Sequence, residues 1–204
     1  VRAFMPTYTT AQLASKIFDA AERGELQLLR ECLAAGIDVN LADPRKSPGG
    51  VPTKLTPLMW ACRNGQTSAV AALLDSGASI SVRDVFGREA LRHAAACGNP
   101  DATRLVLQAG GDVNAKDMHG WSAIARAAHR GHTACVRLLL EAGAPASAAV
   151  AKTARKGGHE ALAAMIERWG GGAAATSNSS TVKPAAAITG FARSIAKPPA
   201  ESAP

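Results

Sequence analysis

Residues 122–143 read SAIARAAHRGHTACVRLLLEAG, and this stretch decides the fold. Ile124, Ala127 and Ala128 recur at the spacing of one helix face, and Val136, Leu139 and Leu140 repeat that pattern after Gly131. Gly143 closes the second run. Glycine suits both breaks, because a helix commonly ends in a left-handed residue and glycine adopts that conformation without steric cost. The stretch therefore predicts helix, turn, helix. The small side chains of Ala127 and Ala128 let another helix pair approach closely, and one pair alone has too little apolar face to fold.

The same pattern extends in both directions. Gly65, Gly98 and Gly131 stand 33 residues apart in matching contexts. A second glycine follows 12 residues after each of Gly24, Gly65, Gly98, Gly131 and Gly158, at Gly36, Gly77, Gly110, Gly143 and Gly170. Five stacked units are expected, each closed by its second glycine. Thr56-Pro57 and Asn99-Pro100 each place a capping residue before a proline at the first helical position. Ile37-Asp38-Val39-Asn40 and Gly111-Asp112-Val113-Asn114 read as short turn segments between units.

These features resemble the ankyrin repeat. Thr56-Pro57-Leu58-Met59 nearly reproduces its Thr-Pro-Leu-His signature, Ala127-Ala128-His129-Arg130-Gly131-His132 its first-helix ending, and Gly111-Asp112-Val113-Asn114-Ala115 its hairpin. The resemblance covers roughly residues 14–170 and implies an all-α ankyrin-repeat solenoid: stacked helix-turn-helix units with β-hairpin fingers. The repeats are expected at about 14–43, 44–83, 84–116, 117–148 and 149–170, after an N-terminal extension of residues 1–13. Residues 171–204, rich in Ala, Ser, Thr and Pro, read as a disordered tail. Glu89-Ala90-Leu91-Arg92 and Ser122-Ala123-Ile124-Ala125 lack the signature proline, so those helix starts are expected to fray more.

The period breaks twice. Gly24 to Gly65 is eight residues too long, with the surplus in Asp43 to Lys54, which predicts a lengthened first finger loop. Gly131 to Gly158 is six too short, so the fifth unit lacks its finger and reads as a terminal cap.

Composition narrows the function. A chain of 204 residues that is 47% hydrophobic but only 4% aromatic must build its core from Ala, Leu, Val and Ile. A net charge of +7 permits an acidic partner and is modest for a dedicated nucleic-acid binder. Four cysteines without paired spacing favour free thiols and a cytoplasmic or nuclear location. Cys62 and Cys135 are expected in the core and Cys97 exposed. No apolar run reaches the ~18 residues of a membrane span, so no membrane partner is expected. His129 and His132 straddle Gly131 with no further ligand spaced to complete a tetrahedral site, which predicts neither metal nor cofactor. The resemblance instead gives His132 and His159 a structural hydrogen-bonding role. Neither a nucleophile–base–acid set nor a phosphate-cradling loop can be assembled, so an enzyme is not expected.

Ankyrin-repeat proteins usually hold partners with their finger tips and the exposed residues of each first helix. The period sets Asp19, Trp60, His93, Arg126 and Thr153 in one row, and Glu22, Arg63, Ala96, His129 and Lys156 in a second. Arg130 belongs to a third row, and the fingers supply Phe86, Arg88, His119 and Trp121. The candidate partner-binding residues are therefore Trp60, Arg63, Phe86, Arg88, His93, His119, Trp121, Arg126, His129 and Arg130. Aromatic and arginine side chains dominate interface energetics. Trp121 has a second reading, packing between neighbouring fingers. Asp19 and Glu22 make the first repeat acidic, while Arg126, Arg130 and Lys156 make the last two basic. The expectation is a monomeric, non-catalytic adaptor, scaffold or inhibitor that binds a protein with an acidic segment over repeats three to five. Single-stranded RNA is the alternative, its phosphates on the arginines and its bases on the aromatics; the interleaved Asp43, Asp84 and Asp117 weigh against it. Ser47-Pro48 is a candidate phosphorylation site in the long loop.

Overall fold

The structure, a computed structural model, describes residues 8–45, 50 and 52–175. Among them are ten helices and no strand: α1 (Thr10–Arg23), α2 (Leu26–Ala34), α3 (Pro57–Arg63), α4 (Thr67–Asp75), α5 (Ala90–Cys97), α6 (Pro100–Gln108), α7 (Ala123–His129), α8 (Thr133–Glu141), α9 (Ala148–Lys156) and α10 (Glu160–Ala175). They form the five expected pairs. The first helices α1, α3, α5, α7 and α9 pack in sequence as one layer, and α2, α4, α6 and α8 pack in sequence as another.

Alanine sets the spacing of the first layer. Ala20, Ala61, Ala94, Ala127 and Ala154 occupy one repeat position, and all are fully buried. The next position holds Ala21, Cys62, Ala95 and Ala128, buried as completely. Larger side chains there would force neighbouring backbones apart. In the fifth pair that position is Arg155, whose guanidinium pairs with Glu160 at 2.9 Å and with both carboxylate oxygens of Glu167 at 2.8 Å. A bidentate ion pair stands where the earlier repeats present a small apolar side chain, so α9 ends the stack in a polar face.

The glycine ladder has a cause beyond helix termination. Gly98 lies at φ +85°, and a Cβ on it would meet the His132 ring at 2.5 Å. His132 Nε2 lies 3.2 Å from the Ala96 carbonyl oxygen, and Asn99 Nδ2 donates to the Gly65 carbonyl at 2.8 Å. Gln66, Asn99 and His132, each following a break glycine, thus rest on the preceding repeat and crowd its own break glycine. This bears out the structural role expected of His132, and His159 similarly covers Gly131.

Gly170 departs from expectation. It lies inside α10, which runs five residues further to Ala175, so it does not end the helix. Glycine is required there because the Ala146 carbonyl oxygen would lie 2.6 Å from a Cβ. The break read at 170 is a point of close approach, and of the segment expected to be disordered, 176–204 lies outside the described residues. At the other end α1 starts at Thr10, four residues before the expected boundary, held by a Thr9–Gln12 capping box.

Helix starts follow the sequence in part. Thr56 accepts from the Met59 amide, and Asn99 from those of Asp101 and Ala102, as expected of caps. Ser122 also caps α7, accepting from Ala125, so the lost proline does not leave that end unsatisfied. Glu89, at the same place before α5, makes no side-chain cap.

Candidate partner-binding groove

Each finger is built on one aspartate. Asp84 Oδ1 accepts from the Phe86 and Arg88 amides at 2.8 and 3.0 Å, and Asp117 Oδ1 accepts from those of His119 and Trp121, both at 2.9 Å. Gly87 and Gly120 complete these turns at φ +71° and +76°. The fingers are turns rather than paired strands, with one isolated bridge, Lys116 to Ser122, among the described residues. They stack directly, the Met118 amide donating to the Phe86 carbonyl at 3.0 Å. The first finger is longer: residues 35–56 join α2 to α3, against 76–89 and 109–122 in the next two connections. Its Ser47-Pro48 lies outside the described residues. The fifth unit has only residues 142–147 between helices and no finger, as expected.

The second carboxylate oxygen of each aspartate turns toward the first helices. Asp43 Oδ2 accepts from the Trp60 indole N–H at 2.8 Å, and Asp84 Oδ2 from His93 Nε2 at 3.1 Å. Trp60, His93 and Arg126 are equivalent by the period, so Arg126 should meet Asp117. It does not, because Arg92 from the preceding repeat holds Asp117 Oδ2 at 2.7 Å. Among the described residues the Arg126 side chain makes no ion pair or hydrogen bond, and its Nε is buried without a partner. Its guanidinium lies over Trp121, 5.7 Å from the ring centroid. Burial, then the nearby charges of Arg130 and Arg88, hold its pKa below the usual arginine range.

His93 requires a correction. The period places it in an exposed row, but its side chain is buried against Asp84 and offers nothing to a partner. Burial holds its pKa below the ordinary histidine value, although the Asp84 contact pulls the other way. Burial would raise Asp84, but the hydrogen bonds from His93 and Arg88 prevail and lower it to about 2. This pair is internal scaffolding for the second finger.

The other candidates fall into two groups. Phe86, Arg88, His119, Trp121 and Arg126 line one cleft of about 310 Å³, together with Arg92 and Asp117. Arg88 caps the Phe86 ring at 4.4 Å while pairing with Asp84. Trp121 rests edge-on against His129, with centroids 5.4 Å apart, so it packs on α7 rather than between fingers. Arg130 is exposed and donates to the Ala96 carbonyl at 2.7 Å. Trp60 and Arg63 form a separate group, with the Arg63 and Arg45 guanidinium groups 5.4 and 5.2 Å from the Trp60 ring centroid.

Arg45 also reshapes the acidic end. It contacts Asp19 at 2.6 Å, Asp43 at 2.8 Å and Glu22 at 4.0 Å. The acid read from the first repeat is therefore partly offset by one side chain from the long loop. Sequence reasoning also passed over Arg92. Its signal was a charge one residue before His93, in a row that holds Phe18, Met59 and Ala125 and is charged again at Lys152.

The thiols are structural. Cys32, Cys62 and Cys135 are buried, and burial raises the pKa of each. Cys97 is half-buried, its Sγ 3.2 Å from where a Gly65 Cβ would lie, so it is less exposed than expected.

The comparisons agree with this architecture. A family model for ankyrin repeats in three copies matches residues 17–117, and a single-repeat model matches 119–151. The chain belongs to the ankyrin-repeat family. Most of the fifth helix pair lies beyond the matched residues. Over 84 residues the chain is 34% identical to Arf-GAP with coiled-coil, ANK repeat and PH domain-containing protein 2 of Homo sapiens and of Oryctolagus cuniculus. Over 83 residues it is 34% identical to the Gallus gallus protein of that name. These alignments cover 41% of the chain and only 10% of each relative's length. Ankyrin repeats are protein-interaction modules and are generally non-catalytic.

Proposed function

We propose that this chain is a non-catalytic adaptor, scaffold or inhibitor that binds an acidic segment of another protein in the groove of its third and fourth repeats. The observation that carries the reading is Arg126: a half-buried guanidinium with no carboxylate partner, in a cleft walled by Trp121 and Phe86. A charge withdrawn from water without a counterion is costly, and a partner's carboxylate offsets that cost. Neighbouring Phe86 and Met118, exposed at 37% and 65%, supply apolar contact beside the charge.

Arg126 and Arg130 reversed together to Glu should abolish retention of the partner recovered with the wild-type chain by affinity purification. Wild-type retention should also fall steeply as salt rises from 50 to 300 mM. Equal retention by the double variant would overturn the proposal, and loss of captured RNA rather than protein would favour the nucleic-acid alternative.

A further inference from the structure

Resting on that reading, we infer that the cleft between the second and third fingers is a phosphoryl-binding site, and that the partner's segment is anchored by a phosphorylated side chain. Among the lining residues, Arg88 is matched by Asp84 and Arg92 by Asp117. Both carboxylates are fully covered and sit beneath their arginines, so they present little negative charge to an incoming group. Arg126 in the wall has no carboxylate partner among the described residues, and His119 stands exposed at the rim. Arg130, one turn further, lies outside the lining, donates to the Ala96 carbonyl and has no carboxylate partner among the described residues either, and its charge acts on Arg126. One uncompensated positive charge remains in the cleft wall and a second stands beside it.

One carboxylate neutralises one of them. A phosphate monoester carries about −1.5 to −2 at neutral pH and presents three acceptor oxygens, which suits forked guanidinium donors on two sides. The cleft of about 310 Å³ has room for such a group, and the Phe86 and Trp121 rings provide walls for the residues flanking it. The lysine-poor, arginine-rich lining fits as well, because guanidinium offers planar, two-pronged recognition.

The test passes three degenerate peptide libraries over the immobilised full chain, with a central phosphoserine, serine or glutamate. Phosphoserine peptides should be retained at least about tenfold over both others, roughly 1.4 kcal/mol. Arg126→Gln should remove that preference, and Arg137→Gln, exposed on α8, should leave it intact. Arg126→Gln should melt no lower than wild type, since it discards an unpaired charge, so its loss of binding will not reflect unfolding. Equal retention of glutamate and phosphoserine peptides would overturn phosphate recognition while leaving the acidic-segment reading intact. Retention no better than serine for either would overturn both. Inorganic phosphate displacing the peptides at their own concentration would assign the cleft to free phosphate, and displacement by oligouridylate at that concentration would assign it to RNA, each overturning the inference.

Discussion

At the scale of single residues, the fourth repeat owes its character to one displaced partner. Each finger aspartate meets a donor on the first-helix layer, Trp60 for Asp43 and His93 for Asp84. Arg92 claims Asp117 from the repeat before, which leaves Arg126 unmatched. The buried His93–Asp84 pair has a measurable signature. His93 is held neutral by burial, so below about pH 6.5 the unfolded chain takes up a proton that the folded chain refuses. Stability must therefore fall as pH drops from 7 toward 5. The Asp84 contribution has the same sign at lower pH: present above about 4, and lost as pH falls through about 2. Thermal melts should show the melting temperature falling between pH 7 and 5, and His93→Gln should flatten that slope while melting lower at pH 7. An unchanged slope in the variant would assign it to other groups.

At the scale of elements, glycine does two jobs that look alike in the sequence. Gly98 combines a left-handed φ with a ring resting on it, whereas Gly170 sits in regular helix beneath the Ala146 carbonyl. Spacing alone read Gly170 as a break, because nothing in the residue string separates a helix end from a close approach. Gly171 is the natural control: helical, exposed, and with nothing within 4 Å of a Cβ. Gly171→Ala should stabilise the chain by up to about 1 kcal/mol in urea unfolding, as helix propensity requires. Gly170→Ala should instead destabilise it by roughly 1–3 kcal/mol, because the Ala146 carbonyl must move. Stabilisation by both would mean that α10 does not pack on that loop.

At the scale of the whole molecule, the repeat count, the fingerless fifth unit and the long first loop were legible, since a fixed period exposes every insertion and deletion. The groove was legible in outline. Phe86, Arg88, His119, Trp121 and Arg126 were named from the period, and the structure brings them to one cleft. What the period could not show was pairing across repeats. Arg92 reaching Asp117, and Arg45 reaching Asp19 and Glu22, join residues whose distance follows no repeat. Those pairs redistribute the charge. Arg45 partly offsets the acid of the first repeat, and Arg126 and Arg130 in the fourth are left without a carboxylate partner among the described residues. Hydrogen–deuterium exchange of the chain with its purified partner tests this most directly. The account predicts new protection in the finger amides of residues 84–88 and 117–121, lost at 300 mM salt. Protection confined to α4, α6 and α8 would place the partner on the other helix layer and contradict it.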